Sequence, residues 1–401
     1  MTTLHTHRPL RTTLGAIALA CAAGHASAAD PFSLNFIGQQ KVATGTQFAG
    51  TTVGGLSGID YDAATQTYWA ISDDRSQVND ARFYTAKLDL NQFNRNAAPG
   101  MAGVQFTGVT TLRDVNGAAF GAGLVDPESI RKVGDRLIWT SEGERLGNNL
   151  QSPFVREARL DGTYVSSYAT PSYYGTTDPA TGIRRNLAFE SLTLSNDGKT
   201  VYTATENALL QDGPAAAVGV ATPSRVLAFD RRSGNASAEF LYLTGPVAAA
   251  PNPAGGFSTN GLVELLAIPG ADGEFLAVER SFSAGVGNSI KLYRASLAGA
   301  TNILGQAVAA AGASFMHKEL LLDLTMLGIT LDNIEGITWG PMVHGHQSLV
   351  MVADNNFDAA AVTQFLAFEV TAAVPEPQTY ALMLGGLGMM AWVARRRRDV
   401  R

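Results

Sequence analysis

Residues 186–209 read NLAFESLTLSNDGKTVYTATENAL. Two runs rich in β-branched and aromatic residues flank the turn Asn196-Asp197-Gly198, a pattern that predicts an antiparallel hairpin. Each run carries an acid at the end remote from the turn: Glu190 opens the first strand and Glu206 closes the second. A carboxylate inside a buried strand is unfavourable unless something compensates its desolvation. The start of one antiparallel strand lies beside the end of its partner. Both acids therefore belong to one end of the hairpin and need a common explanation.

The hairpin recurs. FESLTL is matched by PESIRKV from Pro127, VELLAI from Val263 and IEGITW from Ile334, and LSGIDY from Leu56 is a variant with Ser57 in place of the acid. TVYTATE is matched by TYWAISD, RLIWTSE, EFLAVE and SLVMVAD, each ending in an acid. A third β-like run follows each pair, and in most units a fourth follows that: VQFTGVTTL, TYVSSYAT, AEFLYL and the candidate HKELLLDLT. Four short strands per unit, repeating at roughly 60 to 75 residues, predict an all-β fold, a β-propeller of four-stranded blades with long insertions. The repeat count is five. The last unit lacks a fourth strand, which SLNFIGQQKV (33–42) can supply to close the ring. A sixth, degenerate blade within 91–125 or 300–330 and a two-sheet sandwich are the alternatives, and the sandwich leaves the repetition unexplained.

Charged residues make up 16% of the 401 and hydrophobic ones 46%, a balance that supports a large core and excludes a disordered chain. Residues 1–29 read as a secretory signal peptide: Arg8 and Arg11, the apolar LGAIALACAAG, then the small-residue site HASAAD. Cys21, the one cysteine, lies within it, and Ala18 stands where a lipobox has Leu. An exported domain, expected over 30–373, then has no disulfide and relies on its core. Residues 374–401 read as a second signal: Pro375-Glu376-Pro377, a short apolar stretch and the cluster Arg395 to Arg398. The two signals are rich in Arg, so their removal leaves a chain more acidic than the formal charge of −6. Nucleic acid is an unsuitable partner for such a surface, and cations are suitable ones.

Around a ring, the repeat brings Glu128, Glu190, Glu264 and Glu335 to one mouth of the central channel. Asp73, Glu142, Glu206, Glu279 and Asp354 are expected in a tier outside them. Nine carboxylates cannot all ionise together without positive charge, because like charges raise one another's pKa. Arginines beside them (Arg75, Arg131, Arg145, Arg280), retained protons, or hard cations are the three solutions. Ca²⁺ accepts six to eight oxygen ligands, and Asn186, Asn207, Asn260, Asn333 and Asn355 offer amide oxygens of the same kind. A purely structural role, with each acid bonding backbone amides of the next blade, is the competing explanation.

The set GLSGIDYD…WAISDDR, DPESI, FESLTLSNDGKTVYTATE, VER and NIEGITWG…MVADNNF resembles the phytase-like propeller domain of secreted bacterial proteins, over roughly 35–372. The resemblance implies a propeller that hydrolyses phosphate esters, with the nine acids as calcium ligands, and with Arg75, Arg131 or Arg280 gripping phosphate. Glu190 and Glu335 are the candidates for the catalytic step. The repeat motifs contribute no Lys and few Arg to the mouth, which suits a smaller or less charged ester than phytate. Ser57 is followed at once by Gly58 in GGLSGID, without the spacing of a nucleophile elbow, so metal-activated water is preferred to a serine nucleophile. The pair His344 and His346 lies in an apparent surface hairpin. The C-terminal segment resembles the PEP-CTERM sorting signal of Gram-negative bacteria. That resemblance implies recognition by an exosortase, removal of the tail after transient membrane contact, and release to the cell surface or matrix. Signal peptidase is the expected partner at the N-terminus, and the mature domain is expected to be a monomer. A calcium-dependent lactonase, or a non-catalytic protein binding calcium or polysaccharide, are the alternative functions.

Overall fold

Each repeat folds as a four-stranded antiparallel meander, because alternating apolar runs separated by Gly, Asn and Asp turns pair with their nearest neighbours in sequence. The computed structural model describes residues 33–371, so the two expected signal segments, 1–29 and 374–401, lie outside the described residues. Blade 1 comprises Leu56–Asp62, Thr67–Ser72, Arg82–Leu88 and Val104–Thr111. Blade 2 comprises Pro127–Val133, Arg136–Ser141, Phe154–Arg159 and Tyr164–Ser167. Blade 3 is Phe189–Leu194, Thr200–Thr205, Thr222–Asp230 and Ala236–Thr244, and blade 4 is Ser258–Ala267, Glu274–Ser283, Gly287–Ser296 and His317–Asp323. Blade 5 takes Asn333–Val343, His346–Asp354 and Val362–Thr371 from the end of the domain and Ser33–Ala43 from its start. The N-terminal strand pairs antiparallel with Val362–Thr371 from Ser33↔Thr371 to Ala43↔Val362, and so closes the ring as the sequence predicts.

The core sits between the blades. Five hydrophobic clusters occupy the five interfaces: Trp69 and Phe83 against Trp139 (blades 1 and 2), Ile138 against Phe189 and Leu192 (2 and 3), Tyr242 against Phe275 (3 and 4), Leu276 against Met351 (4 and 5), and Val352 against Ile59 (5 and 1). A complete cycle of five interfaces leaves no gap for a sixth blade. The segment 91–103 is a turn-rich connection within blade 1. In blade 4, HKELLLDLT supplies the fourth strand, His317–Asp323. Among the described residues there is no α-helix.

Every first strand carries a β-bulge close to its start. The extra residue is Ser57, Glu190, Val263 or Glu335 in blades 1, 3, 4 and 5, and the irregularity of blade 2 spans 128–129. A bulge sets two residues against one on the partner strand and re-aims a side chain out of the regular alternation. This is how an acid can sit in a buried strand and still face the channel mouth.

Candidate metal centre at the channel mouth

The register places the second-strand acids opposite the residue two positions before each bulge. Asp73 N donates to Gly55 O (2.7 Å), Glu142 N to Asp126 O (2.9 Å) and Glu206 N to Ala188 O (2.7 Å), and Asp354 pairs with Asn333. In blade 4 the same position is Arg280, opposite Gly261. Glu279 instead pairs with Leu262, and Val263 occupies the bulge. Both strands of blade 4 are therefore shifted by one residue from the expected alignment, and Glu264 and Glu279 leave the mouth. Glu264 stands one position further along the channel, where it accepts from Ser129 Oγ (2.8 Å) and Leu192 N (2.8 Å) and pairs with Arg131 at 3.0 Å. Glu279 turns to the outside of blades 3 and 4, accepting from Tyr242 Oη (2.8 Å) and Gly245 N (3.0 Å) and pairing with Lys318.

Arg131 is likewise not a mouth residue. Its guanidinium donates to the carbonyls of Ile59 (2.6 Å), Ile130 (3.0 Å) and Ile337 (3.3 Å), in three different blades, and so bridges the channel below the mouth. Breaking a buried pair leaves an uncompensated charge. Arg131→Leu is expected to destabilise by about 3–5 kcal/mol, while Arg131→Leu combined with Glu264→Leu recovers the part due to the unpaired charge and not the part due to the orphaned hydrogen-bonding groups. Urea denaturation of both variants checks this.

The mouth itself gathers Asp73, Glu128, Glu142, Glu190, Glu206, Glu335 and Asp354. The structure adds Asp126, which the sequence reading passed over. Extending the hairpin pairing one residue beyond the strand end would have found it, since DPESI then sets Asp126 opposite Glu142. Two triads have carboxylate oxygens within 4.8 Å of one another: Asp126, Glu128 and Glu142, and Glu142, Glu190 and Glu206. Glu142 belongs to both, and its Oε1 also accepts from Ala188 N at 2.7 Å.

Two guanidiniums face these eight carboxylates. Arg75 reaches Asp126 (2.5 Å), Glu142 (3.8 Å) and Glu144 (3.0 Å). Arg280, occupying the acid position of blade 4, lies between Glu206 (3.4 Å) and Glu335 (3.1 Å). Both arginines are thus counterions of the cluster. With all eight acids ionised, six negative charges would remain uncompensated. Burial, then neighbouring carboxylates, hold Glu128, Glu142, Glu190 and Asp73 well above the ordinary carboxylate range. Burial raises Glu335 to about 8, against the pull of Arg280, and lifts Asp126 and Asp354 each to about 6. Glu206 is raised by burial and held back by Arg280. Protons or cations must therefore fill the mouth.

The donor chemistry fits calcium. Both triads are all-oxygen, without His or Cys, the donor set of hard cations rather than of zinc or copper. Three of the five asparagines have their amide oxygens engaged within the protein, while Asn333 and Asn260 use their amide nitrogens. Asn207 Oδ1 accepts from Ala216 N (2.7 Å), Asn355 Oδ1 from Gly55 N (3.0 Å), and Asn186 Oδ1 from Arg75. Asn333 turns its amide nitrogen to Glu335 (2.9 Å), and Asn260 donates to Gly245 O (2.8 Å). Ser57 Oγ donates to Glu128 O (2.7 Å) and is structural. His344 and His346 flank the turn at the far end of the blade 5 hairpin, away from the mouth.

Similar solved structures include an endo-arabinase from Bacteroides thetaiotaomicron (12% identical, 87% of this chain, 99% of that one, TM-score 0.41) and an endo-arabinanase from Bacillus licheniformis (13%, 82% and 97%, 0.35). A periplasmic gluconolactonase from Pseudomonas aeruginosa is 13% identical over 86% of this chain and 100% of that one, with a TM-score of 0.33. Likenesses at this level carry no inference about activity. An uncharacterized secreted protein of Arthroderma benhamiae is 34% identical over 106 residues, and the match spans 22% of this chain and 21% of that protein's length. Residues 373–398 match the PEP-CTERM protein-sorting motif, which implies recognition by an exosortase-type sorting system. The family model "Phytase-like: esterase-like activity of phytase" matches residues 51–357 of the 401, and the chain belongs to that family.

Proposed function

We propose that the protein is an exported, calcium-dependent hydrolase of phosphate esters. The observation that carries this reading is the pair of carboxylate triads joined through Glu142, within a mouth of eight acids and two arginines. Asp126, Glu128, Glu142, Glu190 and Glu206 would hold the cations. Bound there, calcium supplies Lewis-acid polarisation of the phosphoryl group and activation of a water. Glu335 lies outside both triads, and burial raises it to about 8 in the metal-free mouth, which makes it the candidate for protonating a leaving oxygen. Glu190, in the second triad, orients the attacking side of the site. Arg75 and Arg280 are engaged by carboxylates and Arg131 is buried in the channel, which favours an ester of low charge over a polyphosphate. The sorting motif supports delivery to the cell surface and removal of the tail by an exosortase.

A panel of phosphate monoesters, lactones and carboxylic esters, assayed with calcium and with chelator, tests the reading. Phosphate release that depends on calcium is expected. Lactone opening in its place favours a lactonase, and calcium binding without turnover favours a binding protein. Gly261 offers a local probe, because a Cβ there would stand 1.9 Å from Glu206 Oε1. Gly261→Ala is expected to displace Glu206 and weaken calcium binding about 10-fold, or ~1.4 kcal/mol, as calorimetry would read. An unchanged isotherm removes Glu206 from the ligand set.

A further inference from the structure

We propose that Arg185, on the lip between blades 2 and 3, selects esters that carry a second anionic group. The inference rests on the hydrolase reading and names its substrate class. Residue 185 stands three positions before Ala188, whose amide donates to Glu142, the carboxylate common to both triads. The arginines around this lip differ in their engagement. Arg145 donates to the carbonyls of Ile183, Asp178, Gly175 and Thr181, and so frames the loop. Arg184 donates to the carbonyls of Ala208 and Gly213. Arg75 lies among Asp126, Glu142 and Glu144.

Arg185 is the exception. Its side chain is 53% exposed, and among the described residues its partner is Glu144, 3.4 Å from its Nε. Glu144 is itself fixed: Oε2 meets Arg75 Nη1 at 3.0 Å and Oε1 accepts from Arg145 N at 2.8 Å. The ion pair holds the guanidinium by its Nε side, and among the described residues neither Nη group has a hydrogen-bond acceptor. A planar fork of that kind matches a carboxylate or phosphate bidentately. The relay Glu142–Arg75–Glu144–Arg185 runs through contacts of 3.8, 3.0 and 3.4 Å. The free fork is thus separated from Glu142 by one guanidinium and one carboxylate, on the same lip of the mouth, and an ester seated at the triads would meet it with its leaving group. The fitting substrate is a phosphate monoester whose leaving group bears one carboxylate.

The test compares phenyl phosphate with 4-carboxyphenyl phosphate on the mature protein in calcium. Wild type is expected to favour the carboxylated ester about 10-fold in kcat/KM, through KM, the effect of one partly exposed charge-assisted pair. Arg185→Gln is expected to bring the ratio to about one, and Arg185→Lys to keep part of it. A wild-type ratio near one overturns the proposal. So does a preference intact in Arg185→Gln, which would leave Arg185 as a structural partner of Glu144 even if thermal stability fell. If neither ester is hydrolysed, the hydrolase reading fails, and the lip is judged separately by calorimetry. A gap in Kd between the two esters that collapses in Arg185→Gln supports the anion site, and equal Kd values overturn it.

Discussion

In chelator, the protein is expected to lose stability as pH rises from about 5 to 8, and calcium is expected to restore most at the alkaline end. The sign follows from the direction of the shifts. Burial lifts Asp126 and Asp354 to about 6 and Glu335 to about 8 in the folded protein, above their ordinary values of 3.8 and 4.5, and holds Glu128, Glu142 and Glu190 well above theirs. The native state therefore holds more protons than the unfolded chain across this window, and stability falls with pH wherever that is so. Calcium acts oppositely, because it binds ionised carboxylates and competes with their protons. At a thousandfold excess over Kd it adds about 4 kcal/mol, equivalent to roughly 5–10 °C in a domain of this size. Melting curves at pH 5, 6, 7 and 8, each with calcium and with chelator, measure the effect. Coincident curves at pH 8 would mean that the acids are satisfied internally, and the calcium proposal would fall.

Much of this site was legible in the sequence, and the part that was not has a specific cause. The repeated motif set blades 1, 2, 3 and 5 in the right register, through the acid pair in blades 2, 3 and 5 and through Asp73 alone in blade 1, because in those units the hydrophobic alternation and the acids agree. Blade 4 offers no such agreement. Leu262, Val263, Leu265 and Leu266 are apolar on both faces, so periodicity does not choose between registers one residue apart. Matching acid to acid then slipped both strands together and carried Glu264 and Glu279 to the mouth in place of Val263 and Arg280. The bulges compound the difficulty, since an extra residue breaks the count of two without a mark in composition. What the slip concealed matters for function. Blade 4 contributes a cation to the ring, so the acid tier is interrupted, and both candidate triads lie on the side of blades 2 and 3. The channel-spanning pair of Arg131 and Glu264 was beyond sequence reading, because its two residues are 133 positions apart and meet through the centre of the ring.

Glu142→Gln is expected to give the largest functional loss of any single mouth substitution, and to stabilise the metal-free protein at the same time. Glu128, Glu190 and Glu206 each belong to one triad, whereas Glu142 belongs to two. Gln keeps the volume and one oxygen but removes a charge from both, so hydrolysis should fall by at least about 10²-fold, the scale on which electrostatic groups at a reacting centre act. Glu190→Gln, confined to one triad, should fall less. Glu335→Gln should lower kcat with little change in calcium affinity, as befits a proton-holding group outside the triads. Stability should move the other way. Glu142 is 1% exposed and is raised by burial and then by Asp126 and Glu206, so in chelator at pH 8 its neutral replacement relieves repulsion, by about 1–3 kcal/mol. A structural acid predicts the reverse, because Gln turns the charge-assisted bond from Ala188 N into a neutral one and gives up the pairing with Arg75, weakening the join between blades 2 and 3. Urea midpoints in chelator and kcat/KM in calcium, measured on the same three variants, separate the two. Destabilisation of Glu142→Gln with activity retained would assign the mouth to architecture. Stabilisation with activity lost would mean that the fold tolerates strain here in order to hold cations.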